Sequence, residues 1–585
     1  MAQQFVQDVL EKVPGVDPRP VQRSQFFSGL NEGPAATASR LAGLVSTDGA
    51  SDNAPYYTSN FGQLIPDSGH PLNIGGIPYQ GDPLLLEKQQ AFDRSKLAER
   101  IVHPCGWGAF GKFTVSKDVS HLTKASFLSS VGKSTPVYTR LSTVTYGREY
   151  PDTARNPRGF AVKFYTDEGN YDLVGLNWPV FFIRDPFQGP DNIRSQQRNP
   201  QNFLLDFNAW FDFLANVPES QHAGMMLFSD HATPDGNHFS AYGCHTFKWV
   251  NAAGGFVYVK YHWRPQHGAK QFDFDQTMQT QGLDPDYSKR QLYETINKGG
   301  SYKWTMLIQV MTPEEASQAA FDPFDVTKIW PRTQFPMQEV GQLELNRNPE
   351  DYHRDVEQAA FSPGSLVPGI ELSPDTLLNW RAFFYRDAQY HRLASANIHQ
   401  IPVNCPFLSK FHSPDNFFGS MRIDGDAGKK PVYFPNSYQS TSPGSRAPTF
   451  AGKSMNEAPF QVASNVVSRQ SYWSHEGETS EYDQVRELYS RVMTDTQRDH
   501  LHKNTAKLLK YADTIVQKKY LAQQCAISPS YAQSIYDLLP AEQQENFTMD
   551  EVETDSKTAH LVGRDLSFKA KEGRSFMGMP VPSSS

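Results

Sequence analysis

Hydrophobic and polar positions change their rhythm three times along the chain. Residues 1 to 88 are rich in Gly, Pro, Ser and Asn and hold little sustained period beyond a short first helix, which predicts an N-terminal arm. From "KFTVSKDV" to "GGFVYVKYHWR", short segments of Val, Phe, Tyr and Thr recur between turn clusters such as "TPDGNH" and "NAAGG". That spacing predicts an antiparallel sheet or barrel over residues 89–344. Residues 345–465 carry many prolines and no clean period, the mark of a long wrapping segment. Helical spacing then takes over. Val485, Leu488, Tyr489 and Val492 fall on one face, as do Leu501, Leu508, Leu509, Ala512, Ile515 and Val516, and Thr494 with Gln497 reads as a capping box between two helices. A helical domain is expected over 466–545 and a loose tail over 546–585. Strands first and helices last make this an α+β chain.

One stretch breaks its own pattern. "LVGLNWPVFFIRD", residues 173 to 185, is an apolar, strand-like run with a single amide, Asn177, between Leu176 and Trp178. Neighbouring side chains on a strand point to opposite faces, so Leu176 and Asn177 cannot both face one pocket.

Composition narrows the class. At 585 residues and 38% hydrophobic the chain can bury a large core in two or more cooperating regions. A formal net charge of -8 offers no polybasic footprint, so nucleic acid is not an expected partner. No run of 18 apolar residues exists, and the first residues lack the basic-then-apolar build of a secretion signal; an intracellular protein without membrane contact is expected. Four cysteines, at 105, 244, 405 and 525, are too scattered for a disulfide framework or a zinc site.

Spacing alone yields little chemistry. Gly106, Gly108 and Gly111 match the GxGxxG of dinucleotide loops, but the following "KFTVSKDV" alternates like a strand where that fold needs a helix. The 17 histidines contain no HExxH. On spacing, His103 is one histidine among many.

Two stretches remove that anonymity. "FDRSKLAERIVHPCGWGAFG" (92 to 111) and "RAFFYRDAQYHRL" (381 to 393) resemble the distal and proximal signatures of haem catalases. "RNPRGFAVKFYTDEGNYDLVG", "FFIRDP", "RNPQNF", "DPFDVTKIWP", "LNRNP" and "QIPVNCP" resemble further catalase segments in catalase order, so the likeness covers about residues 85 to 540. It implies an eight-stranded antiparallel β-barrel with an N-terminal arm, a wrapping loop carrying the proximal haem helix, and a C-terminal helical domain. It also implies haem b, a peroxide substrate and a homo-oligomer, dimer or tetramer. By this resemblance Tyr385 is the axial iron ligand, His103 the distal acid-base and Ser142 its partner. Arg100, Arg140 and Arg392 hold the propionates, and Val102 and Phe181 touch the haem. A phenol, with a solution pKa of about 10, binds ferric iron as phenolate only if the anion is stabilised. Arg381, four residues earlier on the same helical face, supplies a fixed cation. The resemblance further implies an NADPH site at His222, Ser229, Arg264, Trp330 and Arg332, weakened where His231 replaces an arginine.

The distal pocket departs from the family pattern. Where catalases carry a peroxide-orienting asparagine, this chain has Leu176, and Asn177 is expected to point away. Gly189 stands where an aromatic residue lines the access channel, Asn192 replaces a second aromatic, Trp107 and Phe384 replace small residues, and Pro104 follows His103 directly. Read together, these changes predict a pocket with one donor lost and an aromatic wall removed. That pocket suits oxidation of a larger organic molecule, as in the catalase-like branch of fungal ergot-alkaloid metabolism. Ordinary peroxide disproportionation and a non-catalytic haem scaffold are the alternatives, and oxygen evolution with and without a reductant separates the three. The end, "PVPSSS", is not an SKL-type peroxisomal signal, so cytoplasm and peroxisome both stay open.

Overall fold

The structure, a computed structural model, describes residues 57–65, 67–409 and 480–562. It divides into two units, residues 1–100 with 389–448 and residues 101–388 with 449–585. In the first, two short hairpins pair Tyr57–Thr58 with Leu64–Ile65 and Asn73–Ile74 with Ile77–Pro78. Helix α1 (Pro83–Asp93) starts on Asp82, whose side chain accepts from the Leu84 and Leu85 amides, and a proline fills its first position, where no N–H is needed.

In the second unit the alternating segments form a closed barrel. Its strands are β1 (Gly106–Val115), β2 (Ser134–Ser142), β3 (Gly159–Thr166), β4 (Gly169–Leu176), β5 (Ala241–Tyr242), β7 (Phe256–Pro265), β8 (Tyr302–Met311) and β9 (Gln338–Arg347). They pair antiparallel in the order β1-β2-β3-β4-β5-β7-β8-β9, and β9 returns to β1, so this eight-stranded ring has no free edge. β6 (Phe247–Val250) and β10 (Ile370–Leu372) extend the sheet beside β7. Period-two patterning fills the interior: Phe160, Val162 and Phe164 on β3, Val259, Tyr261 and Trp263 on β7, and Tyr302, Trp304, Met306 and Ile308 on β8 share one core.

The three glycines with dinucleotide-loop spacing all lie in β1, and close packing explains them. A Cβ at Gly106 would meet the Arg140 guanidinium at 2.2 Å, at Gly108 the Tyr138 hydroxyl at 2.4 Å, and at Gly111 the Glu344 carbonyl oxygen at 1.8 Å.

Outside the ring run α2 (Gly189–Ser195), α3 (Phe207–Asn216) and α4 (Gln221–Phe228), then α5 (Phe274–Leu283) and α6 (Tyr287–Asn297) between β7 and β8. α7 (Thr376–Leu393) follows β10. The terminal helices are α8 (Ser480–Glu487), α9 (Asp495–Leu509), α10 (Thr514–Ile527), α11 (Pro529–Tyr536) and α12 (Met549–Ser556). Thr494 and Gln497 form the capping box at the start of α9, as their spacing predicts. Two helical positions differ from expectation. Val492 is 62% exposed, because residues 488–492 wind as a π-turn whose extra residue rotates it off the buried face. Ile515 is 65% exposed, because the chain breaks between α9 and α10 and the 3.6-residue period restarts there. Helix α12 lies within the stretch read as a loose tail; a Thr548–Glu551 capping box starts it and Val552 buries its inner face. The expected first helix of the arm, residues 410–465 of the wrapping segment and residues 563–585 lie outside the described residues.

Candidate active site

Barrel register assembles the site from one rung. Across β1, β2, β3, β4 and β5, Gly106 pairs with Ser142, Ser142 with Gly159, Gly159 with Leu176, and Leu176 with Tyr242. Directly paired residues share a face of the sheet, so Ser142, Gly159 and Leu176 stand side by side. Glycine between the other two makes room for an imidazole. A Cβ at Gly159 would lie 2.5 Å from both His103 Nδ1 and Ser142 Oγ. In that space His103 Nδ1 and Ser142 Oγ make a hydrogen bond of 2.9 Å. With Nδ1 engaged, proton exchange with a molecule in front of the ring falls to Nε2.

His103 itself is held in an uncommon conformation. Its φ is +66°, in the left-handed region that a non-glycine residue enters at a cost. Three hydrogen bonds hold it there: its N–H donates to the Val144 carbonyl at 2.7 Å, and Arg140 donates from Nη1 to the His103 carbonyl (2.8 Å) and from Nη2 to that of Pro104 (3.2 Å). Arg140, expected from the resemblance at a propionate, spends both terminal nitrogens on the carbonyls of His103 and Pro104 in this structure. Asn156 braces the same turn, accepting from the Val144 and Thr145 amides.

The second half of the site is built on α7. Arg381 and Tyr385, one turn apart, face each other: Arg381 Nη2 donates to the Tyr385 hydroxyl oxygen at 2.7 Å, and the guanidinium carbon lies 5.0 Å from the ring centroid. Arg381 is buried, which strengthens its hold on a phenolate oxygen relative to water. Asp375 anchors the helix. Its Oδ1 accepts from the Leu378 amide (2.9 Å) and its Oδ2 from His245 Nδ1 (2.7 Å), and burial depresses the His245 pKa, keeping that ring neutral. Replacing Asp375 with Ala removes a helix cap and leaves a buried imidazole unpaired. The expected cost is about 2 to 4 kcal/mol, read as a fall in thermal unfolding temperature together with lower haem retention.

Both halves meet in one cavity of about 260 Å³, lined by Val102, His103, Leu176, Phe181, Arg381 and Tyr385 among others. Leu176 faces this cavity. Asn177 does not: its Oδ1 accepts from the Arg158 amide (2.7 Å) and its Nδ2 donates to the His231 carbonyl (2.8 Å). The lone amide of that apolar run is thus a strand-end clasp.

The aromatic wall is not missing, which corrects the sequence reading. Trp380, on α7, lies over Gly189 and stacks on Phe384 with ring centroids 4.7 Å apart and planes within 12°. Sequence reading passed over Trp380, although it stands four residues before Phe384 and directly before Arg381, a spacing that puts it on the same helical face.

Arg100 and Arg392 belong to the first unit, where both are buried and Arg392 bonds Gln389 Oε1 at 2.7 Å. The residues assigned to NADPH divide. His222, Ser229 and Trp330 are buried. Burial pushes the His222 pKa down to about 4, Ser229 donates to the Met226 carbonyl, and the Trp330 indole N–H donates to Pro323. Arg264 and Arg332 are exposed. Among the described residues no helix is long and apolar enough to cross a membrane, and no group of three or more His, Cys, Asp or Glu could hold a metal ion.

A sequence profile described as "Catalase" matches residues 58–440, and one described as "Catalase-related immune-responsive" matches 474–539. A Methanosarcina barkeri protein named catalase is 43% identical over 480 residues, 81% of this chain and 92% of its own. The Sus scrofa catalase is 40% identical over 536 residues, covering 88% and 98%. Among solved structures, catalase A from Saccharomyces cerevisiae superposes with a TM-score of 0.76 at 36% identity, over 83% of this chain and 99% of that one. This chain belongs to the catalase family.

Family membership makes it a haem oxidoreductase with the catalase fold, and the donor set fits the cofactor. A buried guanidinium on a phenol oxygen is the arrangement that favours tyrosine ligation to ferric iron, which the handling of haem by catalases uses. An apolar cavity shared by that phenol and an oriented imidazole suits a flat macrocycle with one reactive face.

Proposed function

We propose that this catalase-family enzyme disproportionates hydrogen peroxide to water and oxygen at haem b, with Leu176 slowing the reaction. The carrying observation is the single cavity lined by both His103, held by Ser142, and Tyr385, held by Arg381. Haem bound there supplies the iron at which the oxygen–oxygen bond is broken and electrons are exchanged. His103 Nε2 takes the proton from one peroxide oxygen and returns it to the other, while Ser142 keeps the ring oriented. Arg381 stabilises the anionic form of the Tyr385 oxygen. By the family resemblance Arg100, Arg140 and Arg392 serve as propionate partners, and the Arg140 Nε has no hydrogen-bond partner among the described residues.

This order reverses the sequence reading, which put organic oxidation first. Relatives about 40% identical over most of the chain carry the name catalase. The cavity is lined by both halves of the haem site, so haem itself accounts for its apolar volume. Oxidation of an organic donor stands as a second reading on one observation: Leu176 puts an aliphatic group where an amide would orient peroxide.

Leu176→Asn separates the two. One recovered hydrogen bond of about 1 to 3 kcal/mol corresponds to about 5- to 150-fold in rate. Oxygen release from peroxide, at matched haem content, is expected to rise by that range, and peroxide-driven oxidation of an apolar donor to fall. A wild type already faster than the variant in oxygen release would show that another group orients peroxide.

For NADPH, Arg264 and Arg332 are the exposed cations able to meet a phosphate, while His231, its pKa lowered by burial, brings no charge. Binding to the holoenzyme in this reading is weak and depends on those two arginines, which fluorescence titration with NADPH measures directly. A homo-oligomer is part of the same proposal.

A further inference from the structure

Gly189 and Trp380 compete for one piece of space in the cavity wall. A Cβ at Gly189 would approach the indole to 2.4 Å, closer than packed carbon atoms allow, so no side chain fits at 189 while the indole is there. Helix geometry fixes that indole, because Phe384 sits one turn later and the two rings stack in parallel. Phe384 in turn stands edge-on to Tyr385, ring centroids 5.6 Å apart at 89°. Gly189, Trp380, Phe384, Tyr385 and His103 all line the same cavity.

We propose that Trp380 is a selectivity residue: seated over Gly189 and braced by Phe384, its indole closes the wall beside Tyr385 and sets the size of molecule that reaches the haem. The inference rests on the haem reading of the site. Gly189 is the permissive partner, and the pair behaves as one aromatic position that can be supplied from either element. An aromatic moved from α7 to residue 189 would rebuild the wall, whereas one added at 189 with Trp380 in place would overfill it.

The test uses the full chain loaded with haemin, in wild type, Trp380→Ala, Gly189→Phe and the double variant. Haem content is read by absorbance, and association rates to the ferric haem are measured for cyanide, a small ligand, and 4-phenylimidazole, a bulky one. In Trp380→Ala the 4-phenylimidazole rate is expected to rise about 10- to 200-fold, the range that shape exclusion in an apolar pocket commands, while cyanide stays within about twofold. Gly189→Phe alone is expected to lose haem, and the double variant to recover both haem content and discrimination against the bulky ligand. Trp380→Leu, which keeps helix propensity and some bulk, gives an intermediate ratio and stands in if the alanine variant does not fold. An unchanged ligand ratio at matched haem content, or a double variant no better than Gly189→Phe, overturns the assignment. A wild-type protein that takes up no haemin overturns the haem reading beneath it.

Discussion

His103→Asn is expected to lower peroxide consumption by about 10²- to 10⁴-fold, the range of a lost proton relay, with haem content near that of the wild type. Asparagine is the informative replacement because the backbone at 103 is left-handed, with φ at +66°. Asn enters that region far more readily than Ala, so the variant removes the imidazole without adding backbone strain. The Arg140 and Val144 hydrogen bonds at this position involve only backbone groups of His103 and survive the change. Oxygen evolution gives the rate, and the haem absorption band before and after peroxide shows whether the cofactor is present but slow. Wild-type kinetics in His103→Asn would mean that the proton moves through another group. His103→Ala should lose thermal stability as well as rate, and the difference between the two variants isolates the conformational cost.

Tyr385→Phe is expected to leave the protein largely without haem after purification, with any remaining haem altered in spectrum. The reason is the Arg381–Tyr385 pair built on α7, in which the guanidinium donates to the phenol oxygen. Arg381→Leu removes a charge-assisted hydrogen bond worth about 1.5 to 3 kcal/mol, or about 10- to 150-fold in haem affinity. Tyr385→Phe removes the ligand itself and should exceed that. Arg381→Lys keeps a cation but loses the rigid fork that reaches the phenol at 2.7 Å, so it should fall between Leu and wild type. Haemin titration of apoprotein, followed in the haem absorption band, orders the three. Retention of normal haem by Tyr385→Phe would move the axial ligand elsewhere.

Much of this protein is legible in its sequence, and the parts that are not have a common cause. Period-two segments marked the barrel strands, because a strand buried on one face must alternate whatever it pairs with. The Thr494–Gln497 box was readable because a cap is a contact across three residues. Arg381 and Tyr385 were readable as a pair for the same reason, since four residues in a helix bring two side chains together. The opposite facing of Leu176 and Asn177 followed from strand geometry alone. Local spacing failed where the chain left its regular period, at the π-turn that exposes Val492 and at the break before Ile515.

What the tertiary structure decided is everything that depends on register between distant segments. Ser142, Gly159 and Leu176 share a rung because three strand pairings align them, and a shift of one residue in any would turn that side chain to the other face. Gly159 matters only because an imidazole from a different loop comes to rest on it. Arg140 looks like a cofactor ligand in the sequence and in the fold clamps the backbone of His103, since a guanidinium serves whichever acceptors the fold brings near. Gly189 reads as a lost wall until α7 lays Trp380 across it. Sequence by itself determined the family, the strand-then-helix order and the chemistry of each half-site, because these rest on residue types and local periods. Which halves face one cavity, and what fills its wall, are contacts between residues far apart in the chain, such as His103 and Tyr385, and packing alone selects them.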